Sequence, residues 1–564
     1  MRAVTIPYPK NKTTYKMDTQ RLLLFVGLAL ILFLLWDAWQ REINPPPVQP
    51  VVSERAATPT TAADVPVGTE AAPATSPSQI PGDDQAVQRA ETLEIVTEVL
   101  RAVIDTHGGD LRQVDLLKYP VKPKEPDVPF RLMNDTLPQL FIAQTGFASK
   151  RPQEGVLVDA PNHHTTYNGR VEKNEQGVVR GILEWISPQG VKFSKTYVFQ
   201  PDSYLIEVQH QVENPTTQPW HGNLYQQLQR SGEEPAGGLG ATYTYTGGVI
   251  WSTEDKYQKI NFDDMQDEDL QRDITGGWAA MIQHYFLGAW VPANDVSYTY
   301  YTRALPRDLY VLGMKAAEEM RVAPQSSQSI RSQFFVGPKL QHVLEKVAPG
   351  LELTVDYGVL TIIAKPLFWL LEKIHSWVGN WGWSIVLLTL LIKLVFYKLS
   401  ETSYKSMAHM RKVQPRLQSI KERYGSDRQK LNQAMMDIYK KEKINPLGGC
   451  LPILVQIPVF IALYWMLLES VELRQAPWIL WITDLSTKDP YFVLPIVMGI
   501  TMLVQQKLNP TPVDPIQAKV MMALPFVFTV FFLFFPAGLV LYWVVNNTLS
   551  IAQQWYITRI VIKS

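Results

Sequence analysis

Residues Ser384–Leu399 read SIVLLTLLIKLVFYKL, an apolar run broken ten residues in by Lys393. Its length and composition mark a membrane span, expected over 383–400. Four further apolar stretches follow, at 449–468, 491–507, 519–535 and 537–557. Pro452, Pro458, Pro495 and Pro525 interrupt them; spans tolerate proline because neighbouring helices and water satisfy the freed carbonyls. Phe535-Pro536-Ala537-Gly538 reads as a tight turn, so the last two spans form an antiparallel hairpin.

A sixth candidate lies far upstream, LLLFVGLALILFLLWDAW at 22–39. Trp36 and Trp39 stand where a cleaved signal peptide needs small residues, so the stretch reads as an uncleaved anchor. Lys10, Lys12, Lys16 and Arg21 precede it, and the segment 401–445 is crowded with Lys and Arg. The loop 469–490 instead carries Glu469, Glu472, Asp484 and Asp489. Cytoplasmic loops concentrate positive charge, so both chain ends and 401–445 are placed inside, and 40–380 and 469–490 outside.

This gives residues 1–21 as a cytoplasmic N-terminus, 22–39 as anchor and 40–85 as a flexible linker. An external β-sandwich over 86–350 and an interfacial amphipathic helix over 354–379 follow, then the span 383–400. A basic helical hairpin at 401–445 leads to the span 449–468, the outer loop 469–490 and the span 491–507. A cytoplasmic loop at 508–518, spans at 519–535 and 537–557 and a cytoplasmic end at 558–564 complete the expectation. The fold class is therefore an α-helical polytopic membrane protein, six spans with five in the core bundle, carrying a large all-β external domain.

Composition supports two unlike halves. The chain has 564 residues, 46% of them hydrophobic, and a formal net charge of zero. Balanced charge supplies no global field for nucleic acid or an acidic ligand, so no DNA partner is expected. A single cysteine, Cys450, excludes an intrachain disulfide and reads as a small buried hydrophobe. Residues 44–85, rich in Pro, Ala, Thr and Ser, lack the apolar groups to build a core.

From Glu91 onward the pattern alternates. Thr92–Ile104, then His107-Gly108-Gly109, then Leu111–Leu117 read as a hairpin, as do Ile182–Ile186 and Val191–Phe199 around Ser187–Gly190. Tyr204–Val212 alternates cleanly, and many short strands with regular turns argue for a β-sandwich. His163, His164 and a turn-like Trp220-His221 are the candidates for acid–base or metal groups. They lack a carboxylate at suitable spacing or a zinc-type motif, and Gly237-Gly238-Leu239-Gly240 is too short for a nucleotide loop. Neither catalysis nor a cofactor or metal is expected.

Lys393 carries the functional expectation. Ten residues into a helix is about 15 Å, near mid-membrane, where a charge costs about 2.5–3.5 kcal/mol. Two readings stand: a hydrated cavity within the protein, or a stem that snorkels to the inner headgroups. Thr389 and Tyr397 extend a polar stripe, and Gln456, Gln505, Gln506, Asn546, Asn547, Gln553 and Gln554 are further polar groups in the spans. A cationic groove open to the cytoplasm would draw in the polar external segment of a client without nucleotide. The 401–445 hairpin, with Arg411, Lys412, Arg416, Lys421 and Arg423, is either a solvated face or a contact for anionic lipid or ribosomal RNA.

Gly379-Asn380-Trp381-Gly382, Asn445-Pro446-Leu447-Gly448-Gly449-Cys450, Val471-Glu472-Leu473-Arg474-Gln475-Ala476-Pro477 and Gly538-Leu539-Val540-Leu541-Tyr542 together resemble the YidC family of membrane protein insertases. The resemblance implies an inner-membrane insertase and chaperone with a periplasmic β-super-sandwich and a five-helix core around a cytoplasm-facing groove. It implies that Thr389, Phe460, Met498, Phe531 and Trp543 line the client path beside Lys393, where the family usually carries arginine. The charge is kept and the bidentate fork is lost. Nascent membrane-protein clients, the SecYEG translocon with accessory Sec proteins, the ribosome and membrane lipids are the implied partners.

A solute transporter would also place a charge at mid-membrane, but usually shows inverted repeats. The five core spans are odd in number and lack internal duplication. A membrane-anchored sugar enzyme would leave those five spans unexplained; it would also keep its activity as a soluble 85–345 fragment.

Overall fold

The computed structural model describes residues 91–561 apart from 149–154, 233–243, 294–295, 426, 443–450 and 510–514. The expected anchor at 22–39, the linker at 40–85, Gly237–Gly240 and Cys450 lie outside the described residues.

Residues 92–338 form two antiparallel sheets of ten and nine strands. The hairpins form where alternation and turn residues coincide. Leu100–Asp105 pairs with Asp110–Pro120 across Gly108 and Gly109, both at positive φ that L side chains rarely adopt. Val179–Ile186 pairs with Lys192–Phe199, and Gly190 at φ +95° closes the turn by donating to the Ser187 carbonyl. The run 92–104 divides in two, because the Thr97 hydroxyl accepts from the amides of Val99 and Leu100 and turns the chain. Trp220-His221 is no turn. It opens the strand Trp220–Ser231, which lies between Phe141–Ala148 and Leu309–Ala316 and is buried along almost its whole length. Trp220, Trp278, Trp290, Tyr298 and Tyr310 are all buried in the domain.

Two small helices, α1 (Phe262–Asp267) and α2 (Gln341–Val347), decorate the sheets. The helical part follows as α3 (Thr361–Val378), α4 (Trp381–Val395), α5 (Tyr397–Tyr424), α6 (Arg428–Lys441), α7 (Leu451–Glu469), α8 (Val493–Leu508), α9 (Pro515–Phe532) and α10 (Ala537–Tyr556). Gly379 at φ +68° ends α3, and the Asn380 side chain caps α4 by accepting from the Trp383 amide. Asp427 caps α6 in the same way through Gln429 and Lys430.

The helix expected over 383–400 stops at Val395, and α5 leaves it at an angle of 68°. At the break Gln553 Nε2 donates to the Tyr397 carbonyl at 3.3 Å, tying α10 to the first residue of α5. Among the described residues no single helix is both long and apolar enough to cross a bilayer alone, and α4 with α5 meets that test only as a bent pair.

Candidate functional site

The break at Phe396 changes what surrounds Lys393. It places the lysine in the last turn of α4 rather than mid-helix. The free carbonyls of a helix end favour a cation by about 0.3–1 kcal/mol. The ammonium, buried in the protein, donates to Ser550 Oγ on α10 at 2.7 Å. Ser550 in turn donates to the Asn546 carbonyl at 2.7 Å and bonds the buried Tyr404 of α5. Lys398 differs: it lies on α5 with its side chain 91% exposed, facing Glu401.

Below and above Ser550 the same face of α10 continues the polar seam. Asn547 Nδ2 donates to Thr501 Oγ1 of α8 at 3.3 Å, and Gln554 Nε2 to Asn509 Oδ1 at 3.2 Å. Ser400 and Ser403 are buried near the start of α5. Three buried polar atoms of these helices, Trp543 Nε1, Gln506 Oε1 and Gln554 Oε1, lack a partner among the described residues. Buried polar groups are rarely left so unless water reaches them.

Two turns before Ser550, Trp543 gathers an aromatic cluster. Its ring meets Phe460 of α7 at 4.5 Å, and Phe532 and Phe528 of α9 at 5.4 and 6.5 Å. Phe531 joins through Phe532 and Phe535 and stays 37% exposed. The structure thus brings together Phe460, Phe531 and Trp543. Thr389 is buried one turn from Lys393 with its hydroxyl spent on the Ile385 carbonyl, and Met498 is fully buried in the helical core. A separate apolar pocket of about 300 Å³ is lined by Ile363, Leu367, Leu391, Val395 and Val459 and does not include Lys393.

Ser550 and Tyr404 were missed. The signal existed: Trp543, Asn547, Ser550 and Gln554 are spaced four, three and four apart, one face of a helix.

On the hairpin, α5 and α6 pack through Val413 and Leu417 against Met410, Met435, Ile438 and Tyr439. Arg411, Lys412 and Arg423 are exposed, Lys421 is half-buried, and Arg416 pairs with Glu442 at 2.7 Å. In the sandwich, His163 is buried with Nδ1 against the Tyr225 hydroxyl at 2.5 Å, and its ring lies 4.3 Å from that of His164. His221 faces Glu319 at 3.3 Å.

A family model described as the YidC periplasmic domain matches residues 92–370, and one described as 60Kd inner membrane protein matches 373–564. The membrane protein insertase YidC of Thioalkalivibrio sulfidiphilus is 52% identical over 558 residues, covering 96% of this chain and 98% of its own. The chain belongs to the YidC family of membrane protein insertases. The YidC insertase of Methylococcus capsulatus is 50% identical, with 96% of this chain and 98% of its own length covered. A solved active YidC insertase, with its first transmembrane domain resolved, covers 83% of this chain and 93% of its own at 18% identity, with a TM-score of 0.39. As a YidC-family protein the chain is an insertase rather than an enzyme, an inner-membrane protein whose two-sheet domain is periplasmic.

Proposed function

We propose that this insertase receives the polar external segment of a nascent membrane-protein client in a hydrated, cytoplasm-facing groove made cationic by Lys393. The buried contact of Lys393 with Ser550 carries the reading, because it points the ammonium inward to the bundle and away from lipid. Among the described residues Ser550 is its one hydrogen-bond partner, and an ammonium has three donors, which leaves room for a carboxylate or water. The unpartnered Trp543, Gln506 and Gln554 atoms fit a seam that water enters. The segment would be held partway across in polar surroundings while the client's apolar helix slides past Phe460, Phe531 and Trp543 into lipid. Thr389 and Met498 shape the wall behind them. The step lowers a desolvation barrier and uses no nucleotide.

The topology proposed with it has six spans, with both ends cytoplasmic. Residues 354–379 lie at the outer interface, in keeping with Ile362, Trp369 and Trp377, which are exposed on one side of α3. Arg411, Lys412, Arg416, Lys421 and Arg423 on the 401–445 hairpin meet the ribosome or anionic lipid, and SecYEG with its accessory proteins shares part of the client traffic.

Reconstitution in liposomes with a single-span client tests the groove. Pure protein is expected to promote insertion without ATP, and Lys393→Ala to impair it well beyond Lys398→Ala. Equal impairment removes the special role of Lys393.

A further inference from the structure

The loop between α7 and α8 carries apolar groups where a water-facing loop would carry polar ones. Leu480 is 81% exposed and Ile479 38% exposed at its tip, and Tyr491 is 68% exposed near its end. The tip is a closed turn: Trp478 N donates to the Ile482 carbonyl at 3.0 Å and Ile482 N to that of Ile479 at 3.1 Å. Leu480 itself sits at φ +52°, a left-handed conformation that a bulky residue adopts only when its surroundings hold it there.

The two aspartates of the loop are turned the other way, into its base, while Thr483, Thr487 and Lys488 beyond the tip are exposed. The buried Asp489 accepts from Trp481 Nε1 at 3.0 Å, from Tyr491 N at 3.0 Å and from Leu494 N at 2.8 Å. Asp484 Oδ1 accepts from Gln475 N, Ser486 N and Ser486 Oγ. The result is a rigid frame with an apolar point.

That point is pinned beside the first turn of α4. Asn380 Nδ2 donates to the carbonyls of Pro477 and Trp478 at 3.1 and 3.3 Å, and the Trp383 and Trp478 rings meet edge to face at 5.7 Å. Trp377, 87% exposed, lies just across the Gly379 turn. From there an exposed apolar strip runs down α4 through Trp383, Leu387, Leu390, Leu391 and Leu394. The loop tip therefore continues the surface on which α4 meets hydrocarbon.

We infer that Ile479 and Leu480 are seated in the outer leaflet at headgroup depth, so that this loop, with Trp377, is a second lipid foothold of the periplasmic face. The partner is the bilayer itself, because the patch is continuous with a lipid-facing strip and ringed by aromatic residues of the kind that settle at the interface. The inference rests on the reading of α4 as part of a span.

Single-cysteine chains made in a Cys450→Ser background and labelled with an environment-sensitive fluorophore test it in liposomes. Leu480→Cys reports the tip. Leu394→Cys reports α4, and Ile186→Cys, at a 62% exposed apolar site on the sandwich, reports water. Nitroxide lipids labelled at shallow or deep positions compete with aqueous iodide as quenchers. Position 480 is expected to be quenched several-fold more by the shallow lipid label than by iodide, position 394 by the deep label, and position 186 by iodide alone. Iodide quenching at 480 equal to that at 186, or the failure of every quencher to reach 480, overturns the inference. Failure of lipid labels at 394 as well would instead remove the span reading beneath it. If Leu480→Cys does not assemble, Ile479→Cys carries the same comparison.

Discussion

At Lys393, in the last turn of α4, the chain sets an ammonium against the Ser550 hydroxyl, which is itself committed to Asn546 and Tyr404. Ser550→Ala deletes the acceptor and leaves a charge buried without it. The expected cost is about 1.5–3 kcal/mol, the range for hydrogen bonds to charged groups. It should appear as a lowered melting temperature in detergent and slower client insertion, with Ser550→Thr close to wild type. The lysine was legible because one charge in an apolar run violates composition. Its partner was legible only as one member of the Trp543, Asn547, Ser550 and Gln554 face, since a serine among Leu549, Ile551 and Ala552 shows no link to the lysine until a facing helix supplies the cation. His221 was misread for a related reason. It follows the turn-rich Asn214-Pro215-Thr216-Thr217, and only pairing with Arg321 shows that the strand has already begun.

Helix packing in the bundle depends on small residues at close approach, and Gly499 of α8 is such a place. A Cβ built there would overlap Thr529 Oγ1 of α9, whose hydroxyl already donates to the Pro525 carbonyl at 2.6 Å. Gly499→Ala should therefore destabilise by about 1–3 kcal/mol, as overpacking does. Thr529→Ala in the same chain should recover much of that loss. Additive losses in a double-mutant cycle of thermal unfolding would show that the two residues do not meet. Elements were legible in proportion to how one-sided their burial is. Residues 192–199 alternate and read as a strand, with burial switching at every residue. The central strand Trp220–Ser231 is covered on both faces and includes buried Gln226 and Gln227, so no alternation survives. Gln227 is tolerated because its Nε2 donates to Gln144 at 2.9 Å and its Oε1 accepts from the Tyr301 hydroxyl at 2.7 Å, whereas the Gln226 amide is buried without a partner among the described residues. The 68° break at Phe396 was invisible for a different reason: Leu394-Val395-Phe396-Tyr397 continues an apolar run, and Gln553, which donates to the Tyr397 carbonyl beside the break, is over 150 residues away.

Across the whole molecule, the periplasmic sheets and the helical part meet at the segment after α7. Arg474 Nη2 and Gln475 Nε2 both donate to the Pro120 carbonyl at 2.8 Å, and the guanidinium lies 5.7 Å from the Phe130 ring and 5.6 Å from that of Phe286. His284 Nε2 faces the Leu468 carbonyl at 2.9 Å. Arg474→Lys keeps the charge but loses the planar stack. It should open the joint on the order of tenfold more often, the equivalent of about 1.4 kcal/mol, read as faster amide exchange at Tyr119, Val121 and 284–286.

The same joint responds to pH through Glu472, whose Oε1 is buried without a partner among the described residues. Burial, with Glu372 as a like-charged neighbour, raises its carboxyl from the ordinary 4.5 to about 7. The folded joint thus binds a proton that the unfolded chain releases between about 4.5 and 7, and stability from this group falls as pH rises through that window. His284 slopes the opposite way, since burial lowers its imidazole from 6.5 to about 4 and stability from it rises with pH between those values. The two slopes oppose each other between about 4.5 and 6.5, and Glu469, whose carboxyl burial also raises to about 7, slopes the same way as Glu472. Subtracting Glu472→Gln separates them. That variant should melt above the native protein at pH 8, by the equivalent of about 1–3 kcal/mol, and the gap should close as pH falls toward 4.5. A gap of constant size from pH 5 to 8 would mean that Glu472 does not titrate in this window and that the contact there is one of shape alone.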